Sequence, residues 1–267
     1  MNLILNVINV IYWNVNPGFT VWIFHPRWYG LLFAGSFIVG YLLMEKFLKW
    51  EKKDLKFLES LTMYMVAGTV VGARLGHCLF YEPAFYLSHP LEILFIWKGG
   101  LASHGAAIGI LIALWFAVRK RKDISYIWTL DRVVIVVALA GFFIRLGNFF
   151  NSEIYGVQAS VPWAVVFQSV DNVPRHPVQL YEAICYLAIF FYLFFYYKKY
   201  KEHTREGYIF GMFLILVFTA RFIIEFWKEH QAAFELPLGL DMGLVLSIPF
   251  IIAGILIVIW SYRKKGK

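Results

Sequence analysis

The chain has 267 residues, of which 60% are hydrophobic, 19% are aromatic and only 16% are charged. A soluble domain has about 45–50% apolar and about 25% charged residues, so a chain of this composition cannot cover itself in water. The formal net charge is nevertheless +8, from 25 Lys and Arg against 17 Asp and Glu. A scattered excess would suggest a nucleic-acid surface, whereas a clustered excess beside apolar stretches indicates a membrane protein with no nucleic-acid partner.

Basic tracts alternate with apolar stretches along the chain. Four tracts, at 46–56, 119–122, 198–205 and 263–267, hold 17 of the 25 cations. About 20 apolar residues span a bilayer, and helices are the expected form because a lipid-exposed span must satisfy its own backbone hydrogen bonds. The apolar stretches therefore predict seven transmembrane helices, at 29–48, 59–81, 101–118, 131–150, 178–197, 207–227 and 241–262.

The same tracts predict the orientation of the chain, because cytoplasmic loops carry an excess of Lys and Arg. All four tracts are cytoplasmic if the chain crosses the membrane seven times, with its N-terminus outside and its C-terminus inside. The outer segments then hold only Arg27, Lys98, Arg175 and Lys228. We predict one all-α membrane domain over 1–267, without a disulfide framework.

Two outer segments complete this prediction. Residues 1–28 combine several asparagines with apolar side chains and lack a basic start, which favours an interfacial segment on the outer face rather than a cleaved signal peptide. Residues 151–177 are expected to form an outer loop.

Glycines at four-residue spacing predict close packing between helices. Gly68, Gly72 and Gly76 share one face of the second span, and Gly105 and Gly109 repeat the spacing in the third. Small residues at this spacing allow two helix backbones to approach closely in lipid.

Four arginines lie in or at the ends of predicted spans: Arg74, Arg132, Arg145 and Arg221. A cation at the membrane centre costs roughly 2.5–3.5 kcal/mol on insertion scales. Arg132 lies near the cytoplasmic end, where its side chain can snorkel to the surface. The other three need buried anions or a polar cavity. Glu225 follows Arg221 by four residues, which puts both on one helix face and predicts that they pair.

Further polar residues accompany these arginines near the outer ends of their spans. Arg145, Asn148 and Asn151 recur every three residues and predict a polar stripe, while His104 is surrounded by Gly and Ala that allow a ligand to approach closely. Guanidinium groups bind phosphate in a fork, and the commonest phosphate in a membrane belongs to a lipid. The residues therefore predict a site for an anionic phospholipid near the outer leaflet.

Three classes of protein fit such a site. An enzyme, a transporter or lipid-binding protein, and a structural scaffold differ in whether bound lipid is turned over, but a scaffold leaves the intramembrane arginines unexplained. Inverted repeats, which would favour a transporter, are not recognisable. The sequence also lacks HExxH, CxxC and GxSxG motifs, so we predict neither a metal site nor a cofactor.

Six stretches, in order, resemble the bacterial prolipoprotein diacylglyceryl transferases over residues 21–262. They are RWYG at 27–30, GARLG at 72–76, WKGGLASHGAAIG at 97–109, IRLGNFFNSEIYG at 144–156, RHPVQLYEA at 175–183 and ARFIIEFWK at 220–228. The resemblance implies seven spans in the bacterial cytoplasmic (inner) membrane and an active site toward the outer leaflet. It also implies transfer of the diacylglyceryl group of phosphatidylglycerol to the lipobox cysteine of a prolipoprotein signal peptide, giving a thioether and glycerol phosphate.

The resemblance assigns a set of site residues. The positions carried over are Tyr29, His104, Arg145, Asn148, Asn151, Glu153, Gly156, Arg221 and Glu225, and Arg74 is added as a substrate-binding candidate. Arg145 and Arg221 would stabilise the phosphate leaving group, and Glu225 would orient Arg221. Asn148 and Tyr29 would bind the lipid headgroup. The base that takes the thiol proton is either His104 or Tyr29, and histidine is the better base near neutral pH.

Three positions depart from the family pattern. Ile144 stands where the family signature usually has Gly, which can alter packing or the approach of lipid beside Arg145. Arg27 replaces a common His and Lys228 a common Arg, both at the rim of the expected site. The core of the signature is intact, so we expect an active enzyme.

Overall fold

The computed structural model describes residues 10–22, 24–229 and 242–264. Helices dominate this part of the chain: α1 (Trp28–Trp50), α2 (Lys56–Phe80), α3 (Pro83–Ser88), α4 (Ser103–Val118), α5 (Tyr126–Phe150), α6 (Val178–Tyr200), α7 (Tyr208–Glu225) and α8 (Met242–Arg263). Three short strands accompany them, β1 (Ile11–Trp13), β2 (Val165–Phe167) and β3 (Pro174–Arg175).

A helix occurs at each of the seven predicted positions. Among the described residues, six helices are long and apolar enough to cross a membrane, namely α1, α2, α5, α6, α7 and α8. The remaining one, α4, is apolar but has only 16 residues. The prediction of a helical, multi-pass membrane protein is therefore confirmed, with six candidate spans.

The chain divides into two compact units, which we describe separately. The large unit takes in the described parts of Met1–Gly40 and Val134–Lys267, and the small unit is Tyr41–Val133. The division falls within α1 and α5, so each of these helices contributes to both units.

In the small unit, α2 packs against α4 through the predicted glycines. A Cβ on Gly72 would lie 2.5 Å from the carbonyl oxygen of Gly105 and 2.8 Å from the Cα of Gly109. One turn away, a Cβ on Gly76 would lie 2.6 Å from the Cα of Gly105. Only glycine, which has no Cβ, fits between backbones this close, so the predicted close packing is confirmed.

Arg132, also in the small unit, does not snorkel as predicted. Its side chain is buried and donates to Glu51 from Nη2 at 2.7 Å and from Nε at 3.0 Å. The guanidinium lies 4.4 Å from the ring centre of Trp128, whose Nε1 donates to the other oxygen of Glu51. Arg132 does not need to reach the membrane surface, because the carboxylate of Glu51 compensates its charge within the protein.

In the large unit, the segments outside the long helices contain a small mixed sheet that the sequence did not predict. Strand β1 runs parallel to β2, with Tyr12 opposite Val166, and β2 runs antiparallel to β3. Phe149 at the end of α5 packs against the buried β2 residues Val165 and Phe167, and the rings of Trp13 and Phe149 are 4.3 Å apart. The predicted outer loop at 151–177 and the predicted interfacial segment are thus joined by strand pairing.

Candidate active site

Arg145 lies about one turn before the end of α5 and is held by an ion pair and a hydrogen bond. Its Nε lies 2.6 Å from Oε2 of Glu182, and its Nη1 donates to Oδ1 of Asn148 at 2.9 Å. The Nε–H is not aimed at Oε2 closely enough for a hydrogen bond, so this contact is an ion pair. The hydrogen bond to Asn148 confirms that residues three apart share a face of α5.

Glu153 anchors the other end of the polar stripe. Its Oε1 accepts from Nδ2 of Asn148 at 2.8 Å and from Nδ2 of Asn151 at 3.3 Å. The residues on either side, Ser152 and Ile154, have φ values of 54° and 58°. The left-handed region is costly for a β-branched residue, and such strain commonly occurs at functional sites. The turn that presents Glu153 is therefore a strained element held by side-chain hydrogen bonds.

Glu182 in α6 is the acidic partner that sequence reasoning missed. Its side chain is 0% exposed; Oε2 faces Arg145, and Oε1 accepts from Nζ of Lys228 at 2.9 Å. The signal was available, because an acidic residue within a span is expensive and requires a partner. Glu182 lies in the RHPVQLYEA stretch, but its partners are distant in sequence and spacing alone could not identify them.

The predicted pair between Arg221 and Glu225 is not formed among the described residues. The carboxylate of Glu225 instead contacts Nζ of Lys228 at 3.2 Å. Arg221 still contributes to the same cluster, because its charge acts on Glu182. The prediction that Glu225 orients Arg221 through a direct pair is therefore wrong, since the ammonium of Lys228 reaches both Glu225 and Glu182.

Tyr29 lies in the same cluster, in the first turn of α1. Its ring packs against Gly147, where a Cβ would lie 2.8 Å from Cδ2 of the tyrosine. The charges of Glu153 and Arg145 both act on its hydroxyl. The structure of the large unit therefore brings together Tyr29, Arg145, Asn148, Asn151, Glu153, Arg221 and Glu225, and adds Glu182 and Lys228.

Gly156 lies where three chain segments meet. Its N–H donates to the carbonyl of His176 at 2.9 Å, and a Cβ at this position would lie 2.5 Å from the carbonyl oxygen of Trp227 and 2.7 Å from Cβ of His176. Its own carbonyl accepts from Nη1 of Arg175 at 3.3 Å. These contacts fit a packing role for Gly156, because no side chain fits between the three segments.

The polar contacts of the segment between α5 and α6 extend to Arg175. This residue donates to Asp171 at 2.7 Å and to Glu229 at 2.6 Å. The hydrogen bond from Arg175 lowers the pKa of the Asp171 carboxyl, and burial lowers the pKa of His176. Nδ1 of His176 lies 3.0 Å from the hydroxyl of Tyr181, and the carbonyl of His176 accepts from the N–H of Val178, so His176 forms part of the turn that begins α6.

His104, in the small unit, is an exposed residue of the first turn of α4. Its ring lies 5.1 Å from that of Phe80, edge to face, and 5.8 Å from that of Tyr81. The N–H of Ala102, just before the helix, donates to the carbonyl of Ala73 at 2.9 Å. The ring of His104 thus packs against Phe80 of α2 and against Tyr81, which caps that helix, and it remains accessible.

Arg74, also in the small unit, is engaged by backbone carbonyls. It is buried and donates to the carbonyls of Glu92, Ile93, Gly99 and Gly100 at 2.6 to 3.2 Å. Its guanidinium also lies 5.0 Å from the ring centre of Tyr86. These contacts fit a residue that fixes the segment after α3, because most of its donors are occupied within the protein.

Within the described ranges, no three His, Cys, Asp or Glu side chains are grouped so that they could hold a metal ion. The described site is instead built from cationic side chains, carboxylates and amides in apolar helices and in the segments that follow them. These features define a multi-pass membrane protein with a buried charged cluster in its large unit.

Comparisons with known proteins identify the family. The sequence model of prolipoprotein diacylglyceryl transferase matches residues 18–260. A phosphatidylglycerol–prolipoprotein diacylglyceryl transferase of Tolumonas auensis is 47% identical over 259 residues, covering 97% of this chain and all of the relative. Relatives with the same name from Chloroherpeton thalassium and Porphyromonas gingivalis are 48% and 45% identical, each over 95% of both chains. The chain belongs to the prolipoprotein diacylglyceryl transferase family.

Proposed function

We propose that this chain transfers the diacylglyceryl group of phosphatidylglycerol to the lipobox cysteine of a prolipoprotein. The cysteine sulfur forms a bond to the glyceryl carbon, and the bond between that carbon and the phosphate oxygen breaks. Glycerol phosphate leaves with the electron pair of the broken bond, and the thiol proton passes to a base. The names and near-complete coverage of the relatives support this reaction.

The observation that carries the proposal is the buried setting of Arg145. Its side chain is only 13% exposed and is held by Glu182 and Asn148. A preorganised cation in a dry site stabilises the charge that develops on a leaving phosphate far better than a cation in water. Arg221 adds a second positive charge to the same cluster. The two arginines would act on the phosphate, while Asn148 and Tyr29 would orient the headgroup.

The thiol requires a base because the thiolate is the nucleophile, and a free cysteine has a pKa of about 8.5. We assign this role to His104, whose ring is exposed, because histidine is the side chain that most often acts as a general base. Tyr29 is the second candidate, since the charges of Arg145 and Glu153 act on its hydroxyl. His104→Ala and Tyr29→Phe separate the two, because only loss of the base abolishes the rise of the rate with pH.

The proposal includes a membrane arrangement. The chain crosses the bacterial inner membrane seven times, with α4 as a short span, its N-terminus outside and its C-terminus in the cytoplasm. The four basic tracts support this orientation. Arg145, near the end of α5, then lies toward the outer leaflet, where it meets phosphatidylglycerol and a signal peptide.

A reconstitution experiment tests the reaction. Purified protein is mixed with phosphatidylglycerol vesicles and a synthetic lipobox peptide, and the peptide mass is followed. We expect a mass increase equal to one diacylglyceryl group with the cysteine peptide and none with a Cys→Ser peptide. Lipid binding without a thioether product would contradict the enzyme and favour a transporter or lipid-binding protein.

A further inference from the structure

Glu182 is buried at the centre of the charged cluster, and its two carboxylate oxygens face different cations. Oε2 lies 2.6 Å from Nε of Arg145, and Oε1 lies 2.9 Å from Nζ of Lys228. A buried carboxylate is expensive unless it is paired. Here both oxygens are paired, so Glu182 joins α5 to the residues that follow α7.

These contacts decide how Arg145 is held. Glu182 takes the Nε edge of the guanidinium, and Asn148 accepts from Nη1. Asn148 is in turn fixed by its hydrogen bond to Glu153. A planar guanidinium held at two places, one of them on another helix, cannot rotate freely. Removing Glu182 therefore leaves Arg145 without a carboxylate partner, held only by the neutral side chains of Asn148 and of Tyr186 on α6.

Charge balance gives Glu182 a second effect. The cluster contains three cations, Arg145, Arg221 and Lys228, and three carboxylates, Glu153, Glu182 and Glu225. A balanced cluster attracts the monoanionic phosphodiester of the substrate less than a positive one would. Interactions that are stronger in the transition state than in the ground state are those that raise kcat. Glu182 thus weakens the attraction of the cluster for the phosphodiester of the bound lipid. At the same time it keeps Arg145 aligned for the leaving phosphate.

We propose that Glu182 is a positioning residue, which aligns Arg145 for the leaving phosphate and is itself held by Lys228. This inference rests on the proposed diacylglyceryl transfer. It predicts a particular kinetic signature, because loss of the carboxylate makes the cluster more positive and leaves Arg145 misaligned. Binding of the anionic lipid then strengthens while the chemical step slows.

The first test is Glu182→Gln, which keeps the size of the side chain and removes its charge. We expect kcat to fall about 100-fold, the order that follows from misplacing a reacting group by an ångström. KM for phosphatidylglycerol, varied as its mole fraction in mixed micelles, falls severalfold. A residue that merely supports the fold would lower the active fraction and leave KM unchanged. Unchanged kcat, or reduced kcat with unchanged KM, overturns the proposal.

A charge-balanced double variant covers the possibility that Glu182→Gln does not fold. Glu182→Gln combined with Lys228→Met removes one charge of each sign from the cluster. If Glu182 only neutralised Lys228, this variant would recover wild-type kcat and overturn the proposal. We expect it to recover folded protein but not kcat, because Arg145 still lacks the carboxylate that aligns its guanidinium.

The matched control is Glu206→Gln, which breaks a contact of 2.7 Å with Lys264 near the last basic tract. We expect it to leave kcat and KM unchanged. The wild-type protein distinguishes a failure of the proposed function from a failure of the role of Glu182. If the wild-type protein forms no thioether product, the proposed function fails. If it forms the product and Glu182→Gln has the same kcat and KM, only the role of Glu182 fails.

Discussion

At the scale of single residues, the clearest contrast is between Arg145 and Arg132, two arginines that face carboxylates in different surroundings. Arg145→Lys keeps the charge, but one ammonium cannot reach Glu182 and Asn148 in the geometry of a guanidinium. We expect Arg145→Ala to lower kcat by about 10²–10³-fold, the typical loss for one preorganised donor. Arg145→Lys should recover only a small part of the kcat that Arg145→Ala loses. Rates of thioether formation by mass spectrometry measure both.

Arg132 is the control for this prediction, because it pairs with Glu51 in the small unit. Arg132→Met leaves the carboxylate of Glu51 buried without its cation, which typically costs about 3–5 kcal/mol of stability. We expect less folded protein and a lower Tm, with an unchanged rate per folded molecule. An equal loss of rate per folded molecule in both arginine variants would contradict the distinction between site and fold.

Gly156 provides a second residue-scale prediction. Gly156→Ala places a Cβ against the carbonyl oxygen of Trp227 and against His176. Overpacking of this kind costs about 1–3 kcal/mol, so we expect a lower Tm and loss of activity as the segments separate. Gly35→Ala is the matched control, because a Cβ added to Gly35 would meet nothing within 4 Å. Equal Tm values for the two variants would show that the close approach at Gly156 is not required.

The composition of the site was only partly predictable from sequence. Three-residue spacing was sufficient to place Arg145 beside Asn148, because helical periodicity is local. The partner of Arg145 was missed because Glu182 lies on another helix. The Arg221–Glu225 pair was predicted wrongly for a related reason: spacing shows which residues can meet, but not that Lys228 competes for the same carboxylate.

At the scale of elements, the packing of α2 on α4 predicts a stability effect within the small unit. Gly72→Ala would place a Cβ 2.5 Å from the carbonyl oxygen of Gly105, and neither backbone can move without displacing a helix. We expect a destabilisation of about 1–3 kcal/mol, measured by thermal unfolding in detergent. Gly35→Ala again serves as the control, and a Tm equal to that of wild type would contradict close packing as the role of Gly72.

The sheet segment predicts a pH effect. The hydrogen bond from Arg175 lowers the pKa of Asp171 in the folded protein, so the carboxylate stabilises the fold above its ordinary pKa of about 4. This stabilisation begins to fall when the pH drops below the ordinary pKa of Asp171. It is lost once the pH has also fallen below the lower pKa that Asp171 has in the folded protein. We expect Asp171→Asn to have a lower Tm than wild type at pH 6, and the difference to shrink below pH 4. A difference that is constant with pH would contradict the ion pair as its cause.

Elements with strong local signals were predicted, and those without them were not. The helices follow from apolar length and flanking cations, and observed boundaries such as Val178–Tyr200 lie within a few residues of the predicted 178–197. The sheet could not be predicted, because its strands have two or three residues each and β1 pairs with a strand about 150 residues away. Short strands carry too few residues for an alternating pattern.

At the scale of the whole molecule, the positive charges serve two separate purposes. Seventeen of the 25 cations lie in tracts beside apolar helices, which is the pattern that sets orientation in a membrane. The cations of the large-unit cluster lie instead in or beside helices, where carboxylates compensate them. The placement of the cations along the chain therefore predicts the orientation, whereas the proposed chemistry rests on the few cations of the large-unit cluster.

The orientation can be tested at α4, the helix on which the number of crossings depends. Its 16 residues rise about 24 Å, less than the roughly 30 Å of a typical hydrocarbon core, so it can cross only if the bilayer thins or flanking residues reach the surface. We expect single cysteines at Ser88 and Lys122, introduced after replacing Cys78 and Cys185, to lie on opposite sides of the membrane. An impermeant maleimide added to spheroplasts should label position 88 at once and position 122 only after lysis. Labelling of both before lysis would mean that α4 does not cross and that the chain has six spans.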